Sequence, residues 1–182
     1  MSAGEARLLL KISAYLKILN AKAKAQKGMP ADWAGVHYFG GDTDFEPIPY
    51  YNCSHDAETR LVSSGISRVA HPKYGHTAIY TALAKGTYMA LRHEKKLADE
   101  HAHVVILITD GSDTNSSARF KKLIGQTFPN KRVFLAVIGV GSGAKVHEFK
   151  QYADDVRSID NFGRLVAGIE ATSIIAQKKR TY

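Results

Sequence analysis

Two runs of consecutive apolar residues stand out from a chain whose other segments mix apolar and polar positions. They are HVVILITD at residues 103–110 and RVFLAVIGVG at residues 132–141. Uninterrupted apolar runs of this length are typical of strands that are covered on both faces of a parallel sheet. A shorter segment, VRSID at residues 156–160, is predicted to form a further strand.

Helical periodicity surrounds these strands and separates them along the chain. It predicts helices at residues 4–27, 56–69, 77–96, 117–128, 145–154 and 162–180. In the third of these helices, the predicted inward face carries Ile79, Leu83, Leu91 and either Tyr88 or Thr87.

An alternating pattern at residues 32–41 predicts a strand and turn. Residues 45–52 are predicted to form the return strand of a hairpin, and their two prolines place it at a sheet edge. Strands that alternate with helices predict an α/β fold with a mainly parallel sheet. The length of 182 residues fits one domain over residues 1–182.

Composition and charge narrow the function classes. Hydrophobic residues make up 45% of the chain and charged residues 23%, which is ordinary for a globular protein. No apolar run approaches the roughly 20 residues that span a bilayer, and the single cysteine, Cys53, excludes an internal disulfide and favours a reducing, cytoplasmic setting. The net charge of +8 lies mostly in helix-like segments, without the interleaved aromatic residues of nucleic-acid platforms, so nucleic acid is not the favoured partner.

The carboxylate of Asp110 is the first candidate for chemistry. It follows an apolar strand, and ligands of parallel sheets bind at the carboxyl ends of the strands. A carboxylate there needs hydrogen bonds or a cation, and Mg²⁺ prefers oxygen ligands. The alternative is that Asp110 opens a turn while Ser112 or Asp113 caps the following helix. Thr77 likewise begins a helix, where threonine is commonly an N-cap.

Two segments in this order resemble the von Willebrand factor type A (VWA) family. GHTAIYTAL at residues 75–83 is similar to the family's Gly-x-Thr helix start, and VVILITDGSDTN at residues 104–115 to its strand ending in Thr-Asp-Gly. The resemblance continues through RVFLAVIGVGSGA and DVRSIDNFGRLVAGI and implies a doubly wound, mainly parallel, Rossmann-like sheet with helices on both faces.

The resemblance also implies a non-enzymatic interaction module with a metal-ion-dependent adhesion site. Thr77 and Asp110 would ligate Mg²⁺ or Mn²⁺, and an acidic side chain of a partner protein would complete the coordination. His76, Ser112 and Asp113 are the candidates for the rim that meets the partner.

One departure from the family bears on this site. The family's first, central strand ends in Asp-x-Ser-x-Ser, and this sequence does not contain it. The resemblance therefore implies an incomplete site with weak or absent metal binding. Three explanations stay open: the native start lies upstream, a partner strand fills the gap in the sheet, or the chain is a metal-free degenerate VWA scaffold.

A dinucleotide-binding enzyme is the competing hypothesis. Gly139, Gly141 and Ala144 match Gly-x-Gly-x-x-Ala after an apolar strand, and Asp160 lies near the spacing of a ribose ligand. Only about forty residues follow this motif, however, which is too few for the rest of such a sheet.

Overall fold

The computed structural model describes residues 3–25, 32–40, 45–47, 50–56, 59–60, 62–64, 77–94, 103–127 and 133–180. The chain divides into two compact units, Met1–Tyr38 with Glu46–Lys73 and Phe39–Phe45 with Tyr74–Tyr182. They are called here the N-terminal unit and the sheet unit. The expectation of one domain over residues 1–182 stays a prediction.

The N-terminal unit is built on helix α1, Ala3–Ala25, which confirms the helix predicted at residues 4–27. Leu16 of α1 is buried against Val62, with Ile12 and Leu19 packed around them. Val62 belongs to the second predicted helix, of which residues 56, 59–60 and 62–64 are described and helical. Among the described residues, no helix is both long and apolar enough to cross a membrane.

The two predicted strands near residues 33–52 are each found as two short strands. They are β1 (Trp33–Ala34), β2 (His37–Phe39), β3 (Phe45–Pro47) and β4 (Tyr51–Asn52). β1 pairs antiparallel with β4, and β2 pairs with β3.

Gly35 lies between β1 and β2, next to the ring of Tyr50. A Cβ at Gly35 would lie 3.0 Å from that ring, so a larger residue would displace it. The aromatic ring therefore packs on the glycine at the point where the sequence predicted one continuous strand.

The sheet unit contains a three-stranded parallel sheet in the order β5-β6-β7, and this confirms the α/β fold class. Its elements are α2 (Ile79–Glu94), β5 (His103–Thr109), α3 (Ala118–Thr127), β6 (Val133–Val140), β7 (Asp155–Ile159) and α4 (Leu165–Arg180).

Strand β6 is the centre of this unit, and all eight of its residues are buried. Leu135 and Val137 pack on one face into a cluster with residues of α2 and α3, including Leu83 and Ile124. Phe134 and Ala136 pack on the other face against Ala176 of α4, with Ile106 and Ile175 partly buried around them. Helices on both faces explain why the run contains no polar residue.

Two details of the helices differ from or refine the sequence predictions. The helix predicted at residues 145–154 is a 3-10 helix, Val146–Gln151, and Val146 and Phe149 are fully buried at its three-residue repeat. On α2, the open choice between Thr87 and Tyr88 resolves to Thr87, which is 2% exposed, whereas Tyr88 is 63% exposed.

Candidate functional site

The candidate site begins where β5 ends, at the carboxyl edge of the parallel sheet. The backbone N–H of Gly111 donates to Oγ1 of Thr109 at 3.2 Å, so the last residue of the strand fixes the turn that follows it. Thr109 is buried, whereas Asp110 is exposed. The loop from Asp110 to Ser117 therefore leaves the sheet with its first carboxylate in solvent.

This loop docks on the residues that begin α2. The carbonyl oxygen of Thr77 accepts from the N–H of Thr114 at 2.8 Å and from that of Asn115 at 3.3 Å. In return, the N–H of Thr77 donates to Oγ1 of Thr114 at 3.0 Å. Thr77 and the loop after β5, more than thirty residues apart in sequence, thus lie side by side, as the resemblance implies for the two site segments.

Asp113 is the buried carboxylate of this loop, with a side chain only 3% exposed. Its Oδ1 accepts from the N–H of Ile79 at 2.9 Å and from the hydroxyl of Ser116. Its Oδ2 lies 2.9 Å from Nζ of Lys121. Asp113 therefore accepts a backbone N–H in the first turn of α2, which precedes it in the chain. The sequence had suggested that it caps the helix that follows it, α3. Both of its oxygens are already engaged, which leaves little for a metal or a partner.

Ser116 and Lys121 complete this capping arrangement. The hydroxyl oxygen of Ser116 accepts from the N–H of Thr81 at 3.2 Å, so it binds a second backbone donor in the first turn of α2. The hydrogen bond to Asp113 raises the pKa of Lys121, and the Lys121 ammonium also lies 5.2 Å above the ring of Tyr80. Sequence reasoning missed both residues, because nothing in the local pattern of the loop or of α3 indicates a partner on α2.

Tyr80 lies beneath this ion pair and is not a candidate base. Burial raises its pKa to about 12, with the negative charge of Glu148 as the next cause. The hydroxyl of Tyr80 donates to Oε2 of Glu148 at 3.4 Å, and its ring is 5.1 Å from that of Phe149. The tyrosine packs α2 against the 3-10 helix.

Thr77 and Asp110, the two predicted metal ligands, belong to neighbouring segments of the same edge. Oγ1 of Thr77 is 3.8 Å from the point where a Cβ on Gly111 would stand. A Cβ on Gly143, in the loop after β6, would lie 3.2 Å from the carbonyl oxygen of Asp110, so this second loop also closes on the site.

The donor set fits a hard cation but is small. A threonine hydroxyl and an exposed carboxylate are oxygen ligands of the kind that Mg²⁺ takes, yet Mg²⁺ requires six. The described residues contain no group of three histidine, cysteine, aspartate or glutamate side chains that could hold a metal. Ser112 lies partly buried in the same loop, and His76 lies outside the described residues.

The glycines of the dinucleotide-like motif have structural roles. A Cβ on Gly139 would lie 2.8 Å from Val146 and 2.9 Å from Ala144, so this glycine allows close packing. Gly141 has a φ of +81° in the turn after β6. The element that follows is a six-residue 3-10 helix, which lacks the long helix N-terminus on which a pyrophosphate binds.

No protein-family model matches this sequence, and neither does any curated protein. The fold is nevertheless similar to that of proximal thread matrix protein 1 (PTMP1) from the mussel byssus, at 18% identity and a TM-score of 0.68 over 92% of this chain. A second PTMP1 structure with the same values has a zinc-occupied MIDAS motif, the metal-ion-dependent adhesion site. A third gives 19% identity and a TM-score of 0.66 over 94% of this chain.

This chain covers 42% of the PTMP1 chain, so it spans about two fifths of that protein's length. At this identity the likeness shows the fold alone. The α/β fold shared with PTMP1 agrees with the fold that the sequence resemblance to the VWA family implies.

Proposed function

We propose that this chain is a non-enzymatic interaction module of VWA type that binds an acidic group of a partner protein through a divalent cation. Thr77 and Asp110 hold Mg²⁺ or Mn²⁺, and Ser112 lies at the rim, for which His76 stays a candidate from the sequence alone. The observation that carries the proposal is the position of Asp110. Its carboxylate is exposed at the carboxyl edge of the sheet, beside the segment that carries the Thr77 hydroxyl.

Contrast with Asp113 supports this assignment. The loop places two aspartates three residues apart, and the oxygens of the second are engaged by a backbone N–H, a hydroxyl and a lysine. Asp110 is left in solvent. A carboxylate whose only role was to stabilise the turn would be expected to accept a hydrogen bond from the turn. Among the described residues, no hydrogen bond or ion pair engages the Asp110 side chain.

Two donors give a weak site by themselves. A cation bound to Thr77 and Asp110 keeps most of its positions for water and for other oxygen atoms. A partner carboxylate is attracted to such an under-coordinated cation, and the net charge of +8 adds long-range attraction for an acidic protein. Metal affinity is therefore expected to rise when the acidic partner group is present.

The edge of β5 supports a second contribution to partner binding. β5 pairs with β6 along one edge, and within the described residues no strand pairs with its other edge. Val104 on this strand is 36% exposed, which is unusual beside the fully buried β6. A strand added by the partner would cover the open edge.

Titration calorimetry with Mn²⁺, in the presence and absence of a short aspartate-containing peptide, tests the proposal. We expect the peptide to tighten Mn²⁺ binding and Asp110→Asn to weaken it by at least about tenfold. Asp160→Asn is the matched control, because Asp160 is also an exposed aspartate after a strand of this sheet. Equal loss in both variants, or unchanged binding in Asp110→Asn, would contradict the metal site.

The metal-free scaffold is the alternative outcome of the same experiment. If the peptide binds equally well with and without a chelator, and Asp110→Asn changes nothing, the module binds partners without a cation. The VWA-type interaction role would then stand without its metal.

A further inference from the structure

The N-terminal unit contains a cavity of about 410 Å³ between α1 and the helical residues 56, 59–60 and 62–64. It lies wholly within that unit and is separate from the sheet edge discussed above. Its described lining residues all carry polar or charged side chains, and none of them is aromatic. The lining residues are Ser13, Lys17, Asp56, Thr59, Arg60, Ser63 and Ser64.

The charges of this cavity are not balanced within it. Asp56 is the carboxylate among the described lining residues, and Lys24 holds it, with Nζ 2.6 Å from Oδ2. That hydrogen bond keeps the pKa of Asp56 below its usual range. Among the described residues, none forms an ion pair or hydrogen bond with the ammonium of Lys17 or the guanidinium of Arg60. Arg60 attracts the Asp56 carboxylate electrostatically without forming an ion pair with it. Lys17 and, in part, Arg60 therefore remain for a ligand.

The hydroxyl groups of the lining divide into engaged and available donors. Thr59 donates to the carbonyl of His55 at 3.2 Å, and Ser13 donates to Oγ of Ser63 at 3.2 Å. Ser64, which is exposed at the cavity, makes no hydrogen bond with any described residue. A ligand here meets two cations, one free hydroxyl donor and several hydroxyl oxygens that accept hydrogen bonds.

We propose that this cavity binds a phosphate monoester carried on a polyhydroxylated group, as in a sugar phosphate. Lys17 and Arg60 pair with the phosphoryl oxygens, since guanidinium and ammonium groups give charge-assisted hydrogen bonds to phosphate. The serine and threonine oxygens receive the hydroxyls of the carrier. The volume exceeds that of a lone phosphate, and the absence of an aromatic ring from the lining disfavours a stacked nucleobase.

The same chemistry occurs free in solution and in the headgroup of a phosphorylated inositol lipid. Calorimetry on the full chain with glucose 6-phosphate, inorganic phosphate and glucose measures the free ligand. Co-sedimentation with phosphatidylcholine vesicles, with and without phosphatidylinositol 4-phosphate, measures the lipid headgroup. Lys17→Gln combined with Arg60→Gln removes both cations, and Lys22→Gln combined with Lys11→Gln is the matched control on α1 outside the lining.

We expect glucose 6-phosphate or the phosphoinositide vesicles to bind, and the Lys17/Arg60 double variant to weaken that binding by at least about tenfold. The control variant is expected to retain it, and glucose is not expected to bind. Equal loss in the control would show non-specific attraction to a basic helix and overturn the proposal. So would binding of inorganic phosphate as tight as that of glucose 6-phosphate, or no binding of any phosphate ligand by a protein with unchanged Trp33 fluorescence.

Discussion

The loop after β5 and the cavity of the N-terminal unit are both rich in polar groups, yet they use them in opposite ways. In the loop, Asp113 and Ser116 are occupied in holding the first turn of α2. In the cavity, Lys17 and Arg60 line the space without forming an ion pair to a described residue, although Arg60 attracts the Asp56 carboxylate from a distance.

The difference shows that an abundance of oxygen or charge is a poor guide to binding. Each backbone N–H at a helix start needs an acceptor, so nearby carboxylates and hydroxyls are often taken up by the fold itself. A polar group is a candidate for ligand binding when it makes no such hydrogen bond within the fold. By this criterion Asp110 belongs with the cations of the cavity, and Asp113 does not.

Asp113→Ala is the change with the largest expected effect. It removes the acceptor of the Ile79 N–H and the partner of Lys121, and we expect the free energy of unfolding to fall by about 3 kcal/mol. Urea unfolding followed by circular dichroism measures the loss. Asp110→Ala is the control in the same loop, and its cost is expected to stay within about 0.5 kcal/mol.

If the two alanine variants lose equal stability, the contrast between an engaged and a free aspartate fails. Asp113→Asn refines the result, because the amide oxygen still accepts from Ile79 while the charge that pairs with Lys121 is gone. We expect it to fall between the wild type and Asp113→Ala.

His37 carries the next largest effect and concerns the N-terminal unit. Burial lowers the pKa of His37 to about 4 from its ordinary 6.5, so the folded unit keeps this imidazole neutral. The unfolded chain binds more protons between those values. Stability is therefore full above about pH 6.5, falls as the pH drops towards 4 and changes no further from this group below that.

The size of that loss is about 2 kcal/mol, since the shift sets an upper limit near 3 kcal/mol and partial solvent contact reduces it. Fluorescence of Trp33, the single tryptophan, reports on the unit that contains His37. His37→Gln is expected to flatten the pH dependence between 4 and 6.5, and His147→Gln, at an exposed site in the sheet unit, is not. An unchanged slope in His37→Gln would contradict a neutral buried imidazole.

Sequence patterns located the elements of the sheet unit well, because a strand that is buried on both faces has a continuous run of apolar residues. The apolar runs at β5 and β6 and the periodicity of α2 follow from burial. Asp110 and Thr77 were found through their positions at element ends, together with a family resemblance. The roles of the residues that follow Asp110 in the loop were harder to assign.

The roles of Asp110 and Asp113 could not be separated from the sequence, because both are aspartates in one turn-rich segment. What separates them is the contact with Ile79, which lies 34 residues earlier in the chain. The sequence contains no motif for the cavity of the N-terminal unit for a related reason. The residues that line it come from two helical segments about forty residues apart. Only the fold brings these groups together.

Ser116→Ala tests the smallest difference between engaged and free groups. The substitution removes one acceptor of the Thr81 N–H and one donor to Asp113, and we expect the free energy of unfolding to fall by about 1 kcal/mol. Ser112→Ala removes a hydroxyl from the same loop that has no hydrogen bond to a described residue, and its cost should stay within about 0.5 kcal/mol. Paired urea titrations resolve the difference. If Ser112→Ala cost as much as Ser116→Ala, Ser112 would share in fixing the loop, and its place at the rim of the metal site would lose its basis.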